Sequence, residues 1–206
     1  MRLFLILGLG WGTVLLTSCQ MAPVRVDKQT QGQWQAKALV RDKNAGKSAV
    51  VGLDINANQA EHKLRLDVTA ALGHPVASLV LEGDQLTYVL LENKQYYKGP
   101  ATAVALKPIL SLPMDPQLLF NVLFDVPITD KSWTCTKDNK GYLSDCKTVG
   151  GDLSIRWSDR KGGRKLIHLD HASGSAQINV SSFQPKVEDR PRLFELIPPK
   201  SFKSLR

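Results

Sequence analysis

The sequence predicts a mainly β fold of the α+β class, in which an antiparallel, curled sheet of about eleven strands forms a half-open barrel with a helical lid. Short segments of alternating apolar and polar residues recur along most of the chain, separated by turn residues. The period changes once, between residues 101 and 124, to that of helices. An antiparallel sheet of this size usually curls, and helices inserted in mid-chain cover one of its faces.

The first half of the chain predicts six strands in sequential hairpins, which is an antiparallel meander. Turns built from Asn, Asp, Gly and Pro separate the strands, for example at residues 44–46 and 83–84. The predicted strands are 34–41, 49–55, 63–68, 76–81, 86–90 and 95–98.

Two helices are predicted next. The first covers residues 101–110 and ends before the Leu112-Pro113 break. The second begins at Asp115-Pro116, which offers an N-cap followed by proline at the first helical position. Its apolar residues cover most of the helix circumference, so we expect it to be buried on more than one side. They are Leu118, Leu119, Phe120, Val122, Leu123 and Phe124.

Strands resume after the helices and continue to the C-terminus. They are predicted at residues 132–136, 142–149, 152–157, 165–169 and 175–183, with a last apolar edge at 193–197. A basic hairpin tip, residues 160–165, lies between two of them. We expect this tip to be solvated; contact with lipid headgroups or with an acidic partner is the alternative.

The N-terminus predicts a secretory signal peptide over residues 1–18. Arg2 is followed by an apolar run, residues 3–16, that is shorter than the roughly 20 residues a membrane-spanning helix needs. Leu16-Thr17-Ser18-Cys19 resembles the lipobox of bacterial lipoproteins, which implies cleavage before Cys19 and its acylation, with palmitate among the acyl groups. Gln20 in place of Asp resembles a lipoprotein sorted to the outer membrane. An uncleaved membrane anchor is the alternative interpretation.

Cleavage leaves about 190 residues, which suits one domain. We therefore divide the chain into the signal peptide 1–18, a lipidated tether 19–32 and a domain 33–206. A hydrophobic content of 43% permits a real core, and the formal net charge is +8. A secreted protein is not expected to bind nucleic acid. The partner of its basic surface is then an anionic membrane or an acidic protein, or the surface has no partner at all.

Cys135 and Cys146 are the two remaining cysteines, and the turn sequence Asp138-Asn139-Lys140-Gly141 lies between them. In an oxidising compartment they are predicted to form a disulfide that closes a short hairpin and adds about 2–3 kcal/mol of stability. A metal or redox pair is disfavoured, because the chain has no CxxC motif and no histidine nearby.

Other polar constellations do not predict catalysis. On a strand, His168 and Asp170 share one face while His171 points to the other, which is poor geometry for a metal. Residues 173–175 are typical of a turn rather than of a nucleophile elbow, and Gly162-Gly163 lacks the context of a phosphate-binding loop. We therefore predict no enzyme activity, no cofactor and no metal.

The order of elements resembles the LolA/LolB lipoprotein-localisation superfamily. Trp34 resembles the tryptophan of the first strand, and Ala71-Leu72-Gly73 with the strand 77–81 resembles a loop of LolB and the strand after it. Residues 112–127 resemble the helical stretch, whereas Phe194 to Pro199 looks more like the end of LolA. The lipobox favours LolB, since LolA is a soluble shuttle and LolB is the anchored acceptor.

This resemblance implies a monomeric acceptor on the periplasmic face of the outer membrane. It takes lipoprotein acyl chains from a periplasmic LolA-like shuttle into an apolar cavity and passes them to the membrane, without making or breaking a bond. Leu72 is the candidate membrane-transfer residue on an exposed loop. The cavity candidates are Trp34, Ala36, Ala38, Val51, Leu53, Leu64, Leu66, Leu79, Leu81, Tyr88 and Leu90, and the lid candidates are Leu106, Ile109, Leu110, Leu119, Leu123 and Phe124.

Two alternatives remain open from the sequence. The first is a lipid-anchored binding protein of the same fold for another lipid or hydrophobic ligand. The second is a structural envelope lipoprotein whose apolar interior is only a packed core. A filled interior would exclude carriage of a ligand and would leave this second alternative.

Overall fold

The computed structural model describes residues 22–205. Cys19, where lipidation is predicted, lies outside the described residues, as does the predicted signal peptide. Within the described part of the chain, no helix has the length and apolar character needed to cross a membrane.

The fold is mainly β, with twelve strands in one curled, unclosed sheet and two helices, which confirms the predicted half-open barrel with a helical lid. All neighbouring strands pair antiparallel except β12, which runs parallel to β6. In chain order the elements are β1 (Gln31–Asp42), β2 (Lys47–Asn58), β3 (Lys63–Ala70), β4 (Pro75–Glu82), β5 (Gln85–Leu90), β6 (Gln95–Pro100), α1 (Ala103–Leu110), α2 (Leu118–Phe124), β7 (Trp133–Lys137), β8 (Leu143–Thr148), β9 (Leu153–Lys161), β10 (Arg164–His171), β11 (Gly174–Gln184) and β12 (Lys203–Ser204).

The first strand joins the two halves of the sheet. It pairs with β2 on one side and with β11 on the other, so Trp34 lies opposite both Ile55 and Phe183. The first half is the predicted meander from β1 to β6, and the second half runs from β11 back to β7. Strands β7 and β12 are the two edges, and the gap between them leaves the barrel open.

The half-barrel has two ends, which we name by their turns. The mouth end carries the β1–β2, β3–β4, β5–β6, β8–β9 and β10–β11 turns, and Val149 lies in the β8–β9 turn. The tether end carries the β2–β3, β4–β5, β7–β8 and β9–β10 turns and the N-terminal segment 23–30. Strand β1 runs from the tether end to the mouth end over 12 residues, a length of about 40 Å.

The C-terminal segment differs from the prediction. Residues 191–194 form a turn and residues 195–197 have no regular structure, so no strand forms here. The side chain of Arg65 on β3 donates hydrogen bonds to the carbonyl oxygens of Leu193 and Glu195. The outward-facing Val80 and Val89 are buried together with Leu193 outside the interior core, which indicates that this segment covers the convex face of the sheet. The sheet edge at β6 is paired instead by Lys203–Ser204.

Helix α2 begins later than predicted, at Leu118. The carboxylate of Asp115 accepts a hydrogen bond from the backbone N–H of Gln117, so residues 115–117 form a turn before the helix starts. The apolar face of α2 is buried, as its residue pattern predicts.

Candidate functional site

The concave face of the sheet is a continuous apolar surface. Alternate side chains along β1 to β5 point into the half-barrel, and those of β9 to β11 do the same from the other half. Helices α1 and α2 add their own apolar faces to this interior. The site is therefore an apolar space between a sheet and two short helices.

The tether-end part of this interior is tightly packed around Trp34. Its indole is fully buried. The ring of Phe124 meets it edge-on with 5.0 Å between the ring centroids, and the centroid of the Phe183 ring lies 5.1 Å away. A Cβ atom on Gly32 would lie 2.5 Å from Phe183 and 2.7 Å from Trp34, so this position has no room for a side chain. The indole N–H has no hydrogen-bond partner among the described residues.

The centre of the interior is nearly filled. A cavity of about 30 Å³ remains there, enclosed only by apolar side chains, which is room for about one water molecule. Both helices contribute to its lining, since Leu110 belongs to α1 and Leu119, Val122 and Leu123 belong to α2. The cavity is lined by Leu53, Ile55, Leu64, Leu66, Leu110, Leu119, Val122, Leu123, Ile167, Leu169 and Ile178.

An open cavity of about 410 Å³ lies at the mouth end, between α1 and the strands. This volume falls within the range of roughly 300–1,000 Å³ that is typical of small-molecule sites. Its wall is mostly apolar, and Asp42, Lys47 and Ser48 supply polar groups. The apolar lining residues are Val40, Ala49, Val51, Val68, Val76, Ala77, Leu90, Pro108 and Ile109.

The predicted cavity residues are divided between these regions. Val51 and Leu90 line the mouth cavity, and Leu53, Leu64 and Leu66 line the small central one. The remaining six are buried in the core and line neither cavity: Trp34, Ala36, Ala38, Leu79, Leu81 and Tyr88.

The predicted lid residues all lie on the two helices. Ile109 lines the mouth cavity, whereas Leu110, Leu119 and Leu123 line the central one. Leu106 and Phe124 are fully buried in the core. Several mouth residues were not among the predicted ones, for example Val40, Val68 and Ala77, although each continues the alternation of a strand that supplied predicted residues.

A buried charge cluster holds the C-terminal end of α2. The ammonium group of Lys165, whose side chain is only 3% exposed, lies 2.6 Å from Asp125 Oδ1 and donates a second hydrogen bond to the carbonyl oxygen of Leu123 at 2.6 Å. The guanidinium of Arg160 lies 3.2 Å from the other carboxylate oxygen of Asp125. The indole N–H of Trp157 donates to the carbonyl oxygen of Val122. Helix α2 is thus fixed to β9 and β10 by polar contacts as well as by packing.

The prediction that the basic tip, residues 160–165, is solvated is therefore wrong for two of its residues. Lys165 and Arg160 are turned into the protein, where both pair with the carboxylate of Asp125, instead of being solvated. Burial lowers the pKa of Lys165, an effect that the neighbouring Asp125 opposes. Lys161 and Arg164 are exposed, as expected for a hairpin tip.

Helix α1 makes fewer polar contacts with the rest of the protein than α2 does. The side chain of Thr102 caps its first turn by accepting from the N–H of Ala105, and Ser111 ends it in the left-handed conformation with φ of 57°. Pro108 inside the helix has no N–H to donate. A helix of 8 residues is not stable alone, so α1 depends on its packing at the mouth.

Leu72 lies in the β3–β4 turn and is 87% exposed. The turn is closed by hydrogen bonds from Ala70 N–H to the carbonyl oxygen of His74 and from Gly73 N–H to that of Ala70. Gly73 has a φ of 83°, which favours glycine. Because Val76 and Ala77 follow this turn and line the mouth cavity, Leu72 projects into solvent beside that cavity.

The remaining polar candidates have structural contacts. Cys135 and Cys146 form the predicted disulfide across β7 and β8. The carboxylate of Asp170 pairs with Lys43 at 2.8 Å, and a ring nitrogen of His171 contacts Ser173. Among residues 22–205, no group of three or more His, Cys, Asp or Glu side chains is placed to hold a metal ion.

Comparison with known proteins identifies the fold. No family model and no curated protein matches the chain. Among solved structures, a LolA superfamily protein of Nitrosomonas europaea is similar with a TM-score of 0.51 and 11% identity, over 84% of this chain and 94% of that one. A DUF1329 family protein of Desulfovibrio piger is similar with a TM-score of 0.52 and 10% identity, over 82% of this chain and 91% of that one. The chain therefore has a LolA-like fold.

Proposed function

We propose that this protein is a membrane-anchored acceptor that binds lipoprotein acyl chains in its half-barrel and helps to insert them into the outer membrane. The observation that carries the proposal is the apolar cavity of about 410 Å³ at the mouth, which continues the apolar concave face. The lipobox at Cys19 supplies the anchor, and the fold supports a carrier that exchanges cargo with a periplasmic LolA-like shuttle.

Hydrocarbon burial drives uptake. Each CH₂ group that leaves water contributes about 0.8 kcal/mol, and the walls of the mouth offer few hydrogen-bond partners that would favour a polar ligand. The receiving bilayer offers a similar gain per CH₂ group, so cargo is released without a chemical step. This mechanism assigns no catalytic residue.

The mouth cavity holds only part of a lipoprotein's acyl chains, so deeper binding requires the lid to move. Helix α1 is the element that we propose to move, because it flanks the mouth and is short, whereas α2 is fixed through Asp125, Lys165 and Trp157. Displacing α1 joins the mouth to the central cavity, since Ile109 lines the first and Leu110 the second.

Leu72 is proposed to contact the membrane when cargo is released. A large apolar side chain that is exposed beside the mouth brings the cavity to the bilayer surface. We expect Leu72→Glu to fold and to take up acyl chains normally but to transfer them poorly to vesicles, measured with a radiolabelled lipoprotein. Val149→Glu is the matched control, because Val149 is also exposed at the mouth end. Normal transfer by Leu72→Glu would contradict this role.

Depleting the protein in cells tests the function itself. We expect mature lipoproteins to accumulate in the periplasm in complex with a soluble carrier. Correct sorting after depletion would contradict the acceptor function.

A second candidate function is supported by the size of the mouth cavity. At about 410 Å³ it accommodates a small hydrophobic ligand without any movement of α1. The protein would then bind another lipid in the envelope, and lipoprotein sorting would be unaffected by depletion. Mass spectrometry of lipids extracted from the purified protein distinguishes this candidate from the first.

A further inference from the structure

The chain enters the domain between two turns at the tether end. The backbone N–H of Val24 donates to the carbonyl oxygen of Gly162 at 2.8 Å, and the hydroxyl of Tyr142 donates to that of Pro23. The guanidinium of Arg25 lies over the Tyr142 ring, 4.7 Å from its centroid. The chain is thus held against the domain from Pro23 onward, although residues up to 32 read as a tether in the sequence.

This attachment leaves a very short link to the proposed anchor. If Cys19 is lipidated, residues 19–22 alone separate the lipid from the fixed chain. Four extended residues span at most about 14 Å. The tether end is therefore kept near the headgroups, whereas Leu72 lies at the other end of strands about 40 Å long.

The part of the tether end formed by the β7–β8 and β9–β10 turns is also basic. Lys140 lies in the β7–β8 turn, and Lys161 and Arg164 flank the β9–β10 turn that holds Val24. All three are exposed, and no salt bridge among the described residues engages them. Asp138 and Asp159 are the acids beside them, so these three cations exceed the neighbouring acids by one.

A polar cleft of about 400 Å³ lies on the outer face of the sheet at this end. Lys161 and Arg164 line it together with the carboxylate of Asp159 and the amide side chains of Gln177 and Asn179. A lysine supplies a compact positive charge, and an arginine supplies a fork of donors that matches phosphate oxygens. The cleft therefore has the chemistry of a site for a phosphate diester headgroup.

We propose that the tether end binds anionic phospholipid headgroups through Lys140, Lys161 and Arg164, so that the domain stands on its own membrane with the mouth facing away. This inference rests on the proposed lipidation of Cys19. The lipid anchor holds the domain at the bilayer, and exposed Lys and Arg side chains close to an anionic surface add an attraction that favours one orientation. The docked domain presents its mouth to an incoming carrier, and Leu72 reaches the bilayer only when the domain tips over.

Orientation on vesicles tests the proposal. The full chain is purified from membranes and reconstituted into vesicles of phosphatidylcholine alone or with phosphatidylglycerol. A fluorophore is attached either to Asn139→Cys at the tether end or to Ala71→Cys at the mouth, and nitroxide-labelled headgroups quench it. Cys135 and Cys146 are joined and do not compete for the label. A free Cys19 thiol in the parent chain would contradict the proposed anchoring, independently of the headgroup measurement.

We expect quenching at residue 139 to exceed quenching at residue 71 several-fold, and only when phosphatidylglycerol is present. Lys161→Glu/Arg164→Glu should lower this ratio to near one, and Lys140→Glu should lower it in part. The control Lys94→Glu/Lys200→Glu changes the net charge equally at exposed positions elsewhere and should retain the ratio. Equal quenching at both positions in the parent chain, or a ratio that survives the reversal at 161 and 164, would overturn the proposal. A quenching ratio that is unchanged by the charge reversal would leave an acidic protein as the partner of this surface.

Discussion

Replacing Lys165 with methionine tests whether the buried charge cluster fixes α2. The substitution keeps the length of the side chain and its apolar stem but removes the ammonium group. The carbonyl oxygen of Leu123 then loses its partner on β10, and Asp125 loses the closer of its two cations. Both acceptors remain buried, so their desolvation is no longer compensated.

The size of the effect follows from these contacts. An unsatisfied buried carbonyl costs about 1–3 kcal/mol, and removing one partner of a buried ion pair costs about 3–5 kcal/mol. Arg160 continues to neutralise Asp125 from 3.2 Å, which places the expected loss near the lower limit, at about 3 kcal/mol. Adding Asp125→Asn to Lys165→Met should cost less than the sum of the two single changes, because the two residues share one interaction.

Urea unfolding followed by tryptophan fluorescence measures this loss, since Trp157 donates to the backbone of α2. Lys161→Met, on the same hairpin but exposed, is the matched control and should change stability by less than about 0.5 kcal/mol. A loss below about 1 kcal/mol for Lys165→Met, equal to that of the control, would refute the role of the cluster in holding α2.

Two further predictions concern stability. Replacing Cys135 and Cys146 with alanine should lower the free energy of unfolding by about 2–3 kcal/mol, because the disulfide closes a short loop; an unchanged urea midpoint would contradict this. The carboxyl of Asp67 is partly desolvated, but hydrogen bonds from Arg65 and Ser78 outweigh that effect and lower its pKa. The ionised carboxylate therefore stabilises the fold at neutral pH, and this stabilisation is lost as the pH falls below about 4 through the folded-state pKa. We expect Asp67→Asn to be less stable than the parent by about 1–2 kcal/mol at pH 7 and nearly as stable as the parent at pH 2. Unfolding curves at the two pH values measure the difference, and a gap that persists in acid would contradict the assignment.

Alternation along the chain predicted most of the strands, because inward side chains face the apolar interior whereas outward side chains face water. It did not predict β12, since two residues are too few to show a period. It also placed residues 193–197 in a strand, although Arg65 uses two backbone carbonyls of this segment. Such a contact joins residues far apart in the chain and leaves no local signal.

The buried position of Lys165 did have a signal. It is in phase with Ile167 and Leu169, which point into the half-barrel, so the alternation of β10 already turns it inward. Its partner Asp125 follows a helix 40 positions earlier, and this pairing depends on how α2 packs. The mouth cavity was beyond prediction for a similar reason: Val51 and Leu53 have the same pattern, yet one lines the open mouth and the other lies under the lid.

Acyl-chain binding at the mouth is the central claim, and titration of the full chain with a triacylated lipopeptide tests it most directly. Ala49 lines the mouth cavity, so Ala49→Trp fills it, whereas Ala45→Trp adds the same side chain in the exposed β1–β2 turn and is the control. We expect the parent and the Ala45 variant to bind equally and the Ala49 variant to bind at least about tenfold more weakly, a loss of about 1.4 kcal/mol. Equal affinity of all three proteins, or no binding by the parent, would contradict the account.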